Sequence, residues 1–323
     1  MSLWKLRLSL VGTLAIIIGL STLAFAVILS LTELFSFWTL AIFVVAFNLI
    51  QWLIAPYLID AIYRVRQISK SDDPELVEMV ERLSQKSKIK TPKVMIAKIP
   101  LPNAFAYGSP ITGTRVAVTE GLLKTLDNEE VEAVVGHELG HLKHRDVQVM
   151  MFVSILPALF YYIGFSMLLS SRYSRDERNG GAAVVGIASI VVYWILTLFT
   201  LYISRVREYF ADQHSVAIVE DGPRKLSEGL AKIVHATKSM KKFNKKMGSM
   251  NSFKALFISD PDRAEADATS ITNMKTDLTD QKLVEEVLRK EVTAWDKVAE
   301  IFSTHPNIVK RLRALQTRPR MIR

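Results

Sequence analysis

The sequence predicts a mainly α-helical membrane protein with a small β-sheet in its polar part. Half of the 323 residues are hydrophobic and 23% are charged, which excludes a disordered chain. The apolar residues are concentrated in four uncharged blocks of about 25 residues: 8–32, 34–59, 147–171 and 179–204. Since roughly 20 helical residues cross a bilayer core, where all backbone polar groups must be paired, we expect four transmembrane helices in two hairpins. Between the hairpins, turns rich in Pro and Gly separate three short strand-like runs: 93–99, 103–107 and 115–119.

Other interpretations of the apolar blocks remain open. Some blocks could be buried core helices of a soluble protein, and 147–204 could enter the membrane without crossing it. Lys5 and Arg7, followed by an apolar run that contains Ala24-Phe25-Ala26, also resemble a cleavable signal peptide. That run continues past Ala26 and a second block follows at once, so we expect a membrane anchor.

The charges beside the blocks predict the orientation of the chain. Basic residues flank both outer ends of the first hairpin: Lys5, Arg7, Arg64, Arg66 and Lys70. The link inside that hairpin holds only Glu33, so we expect a multi-pass protein of the cell membrane with its polar regions in the cytoplasm. The loop between blocks three and four would lie outside, and its three arginines, offset by two acidic residues, mildly disfavour this topology.

The blocks also predict the domain organisation. We expect a transmembrane hairpin at 1–65, a second one at 147–204, and one polar domain in two parts, 66–146 and 205–323. In the first part, Asp73 and Pro74 mark a helix start, and Asp127 with Glu130 forms a capping box for another helix. In the second part, we expect helices at 223–242 and 280–302.

The helix that begins near Asp127 carries the sequence His137-Glu138-Leu139-Gly140-His141. Positions i and i+4 lie on one helix face, so both imidazoles can reach a single zinc ion. Glu138 lies beside this pair, where it can take a proton from an attacking water. The alternative is two surface histidines on a solvated helix.

Glu208 is the candidate third ligand, because a carboxylate from another helix commonly completes such a site. His141 precedes the third block by six residues, about 9 Å of helix, and Glu208 follows the fourth block by four, about 6 Å. A transmembrane hairpin between them would return the chain to the same membrane face. One turn further, Asp212 can accept the free N–H of a ligand histidine. Alternatively, Glu208 and Asp212 are surface charges at a helix end.

Four segments carry a family pattern: the His-Glu-x-x-His helix, the segment Arg207-Glu-Tyr-Phe-Ala-Asp212, Asn103-Ala-Phe-Ala and Thr304-His305-Pro306. They give the chain a resemblance to the HtpX-type membrane zinc metalloproteases. It implies a gluzincin fold, a mostly helical catalytic domain with a small sheet, one zinc ion per chain, and a third ligand from a Glu on a later helix. It also implies misfolded or damaged membrane proteins as substrates. The CAAX prenyl endopeptidases share part of the pattern, and the longer polar segment around 255–300 departs from it.

Two further residues are candidates for the site. By resemblance, Asn103 lies at a sheet edge that holds the substrate as an added strand; it could also simply form a turn after Pro102. His305 could donate to the carbonyl oxyanion or occupy the open metal position, or it could cap the last helix.

The net charge of +9 has a simpler explanation than nucleic-acid binding. No nucleic-acid module is recognisable, and on a membrane protein basic clusters favour anionic lipid headgroups. These clusters are Lys238, Lys241, Lys242, Lys245 and Lys246, and then Lys310, Arg311, Arg313, Arg318, Arg320 and Arg323. The chain has no cysteine, which excludes thiolate metal sites and cysteine nucleophiles.

The sequence therefore predicts an integral-membrane zinc endopeptidase that cleaves polypeptides, membrane proteins above all, at the cytoplasmic face. His137, His141 and Glu208 would hold the metal, and Glu138 would activate water. A CAAX-type prenyl peptidase and a non-enzymatic membrane zinc-binding scaffold are the alternatives.

Overall fold

The computed structural model describes residues 37–173, 180–243 and 280–317. The first predicted span, 8–32, lies outside the described residues. Three long apolar helices cover the other predicted blocks: α1 (Phe37–Tyr63), α5 (Asp146–Tyr173) and α6 (Gly180–Ile218). Each has the length and composition to cross a membrane. Three candidate spans are thus confirmed, and the fourth stays a prediction.

The described residues fall into two compact units. Residues 37–52, 148–173 and 180–201 form the apolar unit, and 53–147, 202–243 and 280–317 form the polar unit. In the apolar unit, α5 and α6 approach closely where Gly164 lies beside Gly186. The space is so small that a Cβ on Gly164 would lie 2.9 Å from the carbonyl oxygen of Gly186. The predicted division into four sequence segments stays a prediction.

The polar unit contains a four-stranded sheet with the order β1-β2-β4-β3. Its strands are β1 (Val65–Gln67), β2 (Lys93–Ala97), β3 (Ala104–Ser109) and β4 (Gly113–Thr119). β2 and β4 are parallel, with Val94 opposite Val116, whereas β1 and β3 pair antiparallel to their neighbours. The three predicted strands are therefore confirmed, and β3 ends the sheet in the described part of the chain.

Helices cover one face of the sheet and form the main core. They are α2 (Pro74–Ser87), α3 (Glu120–Thr125), α4 (Asn128–Lys143), α7 (Gly222–Phe243), α8 (Asp280–Leu288) and α10 (Ile308–Gln316). Helix α9 (Ala294–Ile301) lies between α8 and α10 in the chain and adds no apolar side chain to this core. The predicted starts are confirmed, since the Asp73 carboxylate accepts the Leu76 N–H and the Glu130 carboxylate accepts the Asp127 N–H. The helix predicted at 280–302 is instead two helices, because Thr293 caps a new helix through a capping box with Asp296.

Candidate metal centre

The centre is built on α4, which lies against α6. In α4, His137 and Glu138 are buried and His141 lies one turn further on. The two helices are close because Gly140 has no side chain: a Cβ there would lie 2.9 Å from the Cα of Ala211. This contact brings the α6 residues Glu208 and Asp212 beside the histidines.

Three predicted ligands converge on one point. The Nε2 atoms of His137 and His141 are 3.1 Å apart; Oε2 of Glu208 lies 3.6 Å from the first and Oε1 of Glu208 lies 3.5 Å from the second. Ligand bonds of about 2.0–2.1 Å at tetrahedral angles separate ligand atoms by about 3.3 Å, so each of these separations is close to that expected between two ligands of one zinc ion. A Glu138 oxygen also lies within 4.8 Å of both imidazoles.

A carboxylate contacts the other nitrogen of each histidine. The Nδ1 of His137 lies 2.9 Å from Oδ1 of Asp212, and the Nδ1 of His141 lies 2.7 Å from Oδ2 of Asp146. Such contacts fix the imidazole tautomer and direct Nε2 towards a metal. Asp146 also accepts a hydrogen bond from Arg207.

Arg311 of α10 links the carboxylates of α6. Its guanidinium donates to both Asp212 oxygens, at 2.9 and 2.6 Å, and its Nη1 lies 3.2 Å from Oε2 of Glu208. The assignment of Arg311 to a lipid-facing cluster was wrong, because its side chain is buried. Its neighbour Lys310 pairs with Glu300. The sequence does contain a signal that the Arg311 side chain is buried. Arg311 lies on the apolar stripe of α10, on the same side as the buried Ile308, Leu312 and Leu315.

The electrostatics of the centre favour a cation. Burial acts to lower the pKa of His137, but hydrogen bonds to Asp212 and Glu208 outweigh it and raise the pKa to about 9. Burial lowers the pKa of His141. Four carboxylates surround the histidines, those of Glu138, Glu208, Asp212 and Asp146, whereas two arginines, Arg207 and Arg311, oppose them. The donor set therefore fits a divalent metal ion.

His305 lies at the rim of the centre, in the loop between α9 and α10. Its Nε2 is 3.7 Å from Oε1 of Glu208, and its Nδ1 is 2.9 Å from the Thr304 hydroxyl. The helix cap that was the alternative role for His305 is formed by Asn307, whose side chain accepts the Val309 N–H. Asn307, rather than His305, is therefore the N-cap of α10, and His305 lies next to the candidate ligand Glu208.

Asn103 immediately precedes the edge strand β3 and is buried. Its backbone N–H donates to the Thr119 hydroxyl, and its carbonyl accepts the Thr119 N–H at 2.9 Å. β3 packs on the helix that carries the two histidines. Asn103 is therefore held at the end of an edge strand next to α4, in a position compatible with its predicted role.

A second group of carboxylates is occupied by a lysine. Asp127, Glu130 and Asp280 lie close enough to hold a cation, but the Lys232 ammonium contacts them at 3.1, 2.9 and 3.0 Å. This cluster ties α8 to the start of α4 and needs no metal.

Comparisons with known proteins agree with this geometry. Residues 70–319 match the model of peptidase family M48. A protease HtpX homolog of Methanothermobacter thermautotrophicus is 41% identical over 72% of this chain and 88% of its own. Another from Aeropyrum pernix is 36% identical over 95% of this chain and 94% of its own. The crystal structure of S. mikatae Ste24p has a similar fold, with a TM-score of 0.56 at 16% identity over 97% of this chain and 66% of that one.

Proposed function

The chain belongs to peptidase family M48 and is a metalloprotease, and from this premise we propose a zinc-dependent membrane endopeptidase whose metal ligands are His137, His141 and Glu208. The observation that carries the proposal is the convergence of donor atoms beside the buried Glu138: the two Nε2 atoms are 3.1 Å apart, and each lies 3.6 or 3.5 Å from an oxygen of the Glu208 carboxylate. This arrangement leaves zinc a position for substrate, as a catalytic site requires. The fold of the polar unit would then be of the gluzincin type.

Zinc bound there would polarise the scissile carbonyl and make water a stronger nucleophile. Glu138 then accepts a proton from the attacking water and delivers it to the nitrogen of the leaving amine. Asp212 and Asp146 hold the two imidazoles in the orientation that the site needs. His305, which lies beside Glu208, would donate a hydrogen bond to the carbonyl oxygen as negative charge develops on it.

The substrate is a polypeptide, and we propose that it binds as an added strand along β3. An edge strand offers main-chain hydrogen bonds that tolerate many sequences, with Asn103 at its start. Such tolerance suits an enzyme that clears misfolded or damaged proteins.

The position of Glu208 supports membrane proteins as substrates. Glu208 lies on α6, four residues beyond the uncharged stretch that ends at Ser204. With 8–32 as a fourth span and the basic flanks inside, the site would lie at the cytoplasmic face of the cell membrane. Lysines 238–246 and the C-terminal arginines beyond 317 would contact anionic lipid headgroups.

The test is cleavage of an unfolded protein by the full chain in lipid nanodiscs. We expect cleavage that a chelator abolishes and zinc restores, and that Glu138→Gln abolishes without loss of bound zinc. Glu129→Gln is the matched control, because Glu129 lies on the same helix and is 63% exposed. Activity in Glu138→Gln would overturn the mechanism, and cleavage only of a prenylated peptide would favour the CAAX-type alternative.

A further inference from the structure

Helix α9 presents an apolar face to its surroundings. Trp295 is 81% exposed, Phe302 59%, Val298 46% and Ile301 44%. The spacing of Trp295, Val298 and Phe302 places them on one stripe. Glu300, in contrast, is buried and pairs with Lys310. Four large apolar side chains exposed on so short a helix mark a contact surface.

This face is held in a fixed position within the polar unit. Thr293 and Asp296 cap the start of α9. At its end, the Arg205 guanidinium donates to the carbonyl oxygens of Ile301 and Ser303, at 3.1 and 2.7 Å. These contacts at both ends of α9 fix the orientation of its apolar face within the polar unit.

Arg205 also indicates that the end of α9 lies close to the boundary of the apolar stretch of α6. It directly follows the uncharged stretch of α6 that ends at Ser204. Two residues further along α6, Arg207 forms an ion pair with Asp146, the first residue of α5. The guanidinium of Arg205 lies 5.9 Å from the ring centroid of Tyr202, which is 57% exposed. Aromatic and basic residues are enriched at this boundary between hydrocarbon and water.

We propose that α9 is an interfacial helix that lies in the membrane surface and inserts Trp295, Val298 and Phe302 at the boundary between headgroups and acyl chains. Helices of this kind bury an apolar face that carries Trp and Phe and keep a charged edge in water, here Lys297. The proposal rests on the placement of the chain in a membrane and is independent of the peptidase chemistry. Since His305 follows α9 by four residues, this contact would hold the rim of the site close to lipid.

The absence of cysteine from the chain allows a direct test. Trp295→Cys, Lys297→Cys and Glu78→Cys are each labelled with a nitroxide in the full chain, reconstituted in nanodiscs of zwitterionic and anionic lipid. Glu78 is the aqueous control, since it is 66% exposed on α2. Power-saturation EPR then measures how often oxygen and a water-soluble nickel chelate collide with each label. Val298→Cys provides a second label on the apolar face.

We expect the ratio of oxygen to nickel accessibility to be several-fold higher at positions 295 and 298 than at 78, with an intermediate value at 297. The apolar labels should lie about 5–10 Å into the boundary region. High nickel accessibility at 295 and 298 would overturn the proposal in favour of a water-exposed face. Low accessibility to both reagents would overturn it in favour of cover by a protein surface, from this chain or a second copy.

Discussion

The Nη1 atom of Arg311 lies 3.2 Å from Oε2 of Glu208, so a residue of α10 directly contacts a candidate metal ligand on α6. The same guanidinium holds Asp212, which in turn contacts His137. Burial acts to lower the pKa of Arg311, but the carboxylates of Asp212 and Glu208 outweigh it and raise the pKa. Arg311 is therefore charged, and it positions two carboxylates of the centre.

Replacement of Arg311 by Met should destabilise the metal-free protein by about 3–5 kcal/mol, because two buried carboxylates lose their counter-charge. Added zinc should recover part of this loss, since the ion supplies positive charge to Glu208. Thermal unfolding in nanodiscs with and without zinc measures both effects. Arg313→Met is the control, because Arg313 is exposed and donates only to backbone carbonyls. Equal stability of the two variants would show that Arg311 is not needed to hold the carboxylates.

Asp212→Asn and Asp146→Asn should each weaken zinc binding about 10–100-fold, because a neutral amide replaces the charged carboxylate that accepts from the imidazole and orients it. Competition with a fluorescent chelator measures the affinity. The exposed Asp72, which contacts Arg66 and Ser69, provides the control variant Asp72→Asn. Unchanged affinity in both test variants would mean that neither carboxylate supports a ligand.

Gly140→Ala should separate α4 from α6 and cost about 1–3 kcal/mol of stability, because the added Cβ would lie 2.9 Å from the Ala211 backbone. Zinc affinity should fall as well, since Glu208 would move away from the histidines. Gly181→Ala is a matched control, because no atom of the described residues lies within 4 Å of a Cβ there. Thermal unfolding and zinc titration test the pair, and full zinc affinity in Gly140→Ala would show that the approach of the helices is not required.

Asn103→Ala should lower kcat/KM for a protein substrate about tenfold while zinc content stays unchanged, because one substrate hydrogen bond is lost and no ligand moves. Steady-state cleavage and metal analysis of the same sample provide both quantities. A parallel loss of zinc and activity would assign Asn103 to the fold rather than to the substrate.

The sequence predicted those parts of the centre that depend on local periodicity. The positions of His137 and His141 follow from one helical turn, and Glu208 follows from the length of a transmembrane hairpin. Arg311 was grouped with the other basic residues near the C-terminus, although it lies on the side of α10 that carries the apolar stripe. Asp146 was not predicted as a partner of His141. It reaches His141 only because the chain turns at Arg145, which has a φ of 55°.

The sequence also predicted part of the fold. Capping signals at Asp73 and Asp127 predicted two helix starts, and turn residues predicted three strands. Strand β1 was not predicted, because three residues are too few for a recognisable alternation. The break between α8 and α9 was also missed, although Thr293 and Asp296 form a capping box that marks the start of a new helix.

The most direct measurement is an anomalous difference map, recorded at the zinc absorption edge from the purified full chain with zinc. We expect one peak per chain, about 2.0–2.2 Å from Nε2 of His137, Nε2 of His141 and a carboxylate oxygen of Glu208. A peak bound elsewhere, or one that Glu208 does not reach, would contradict the proposed metal site.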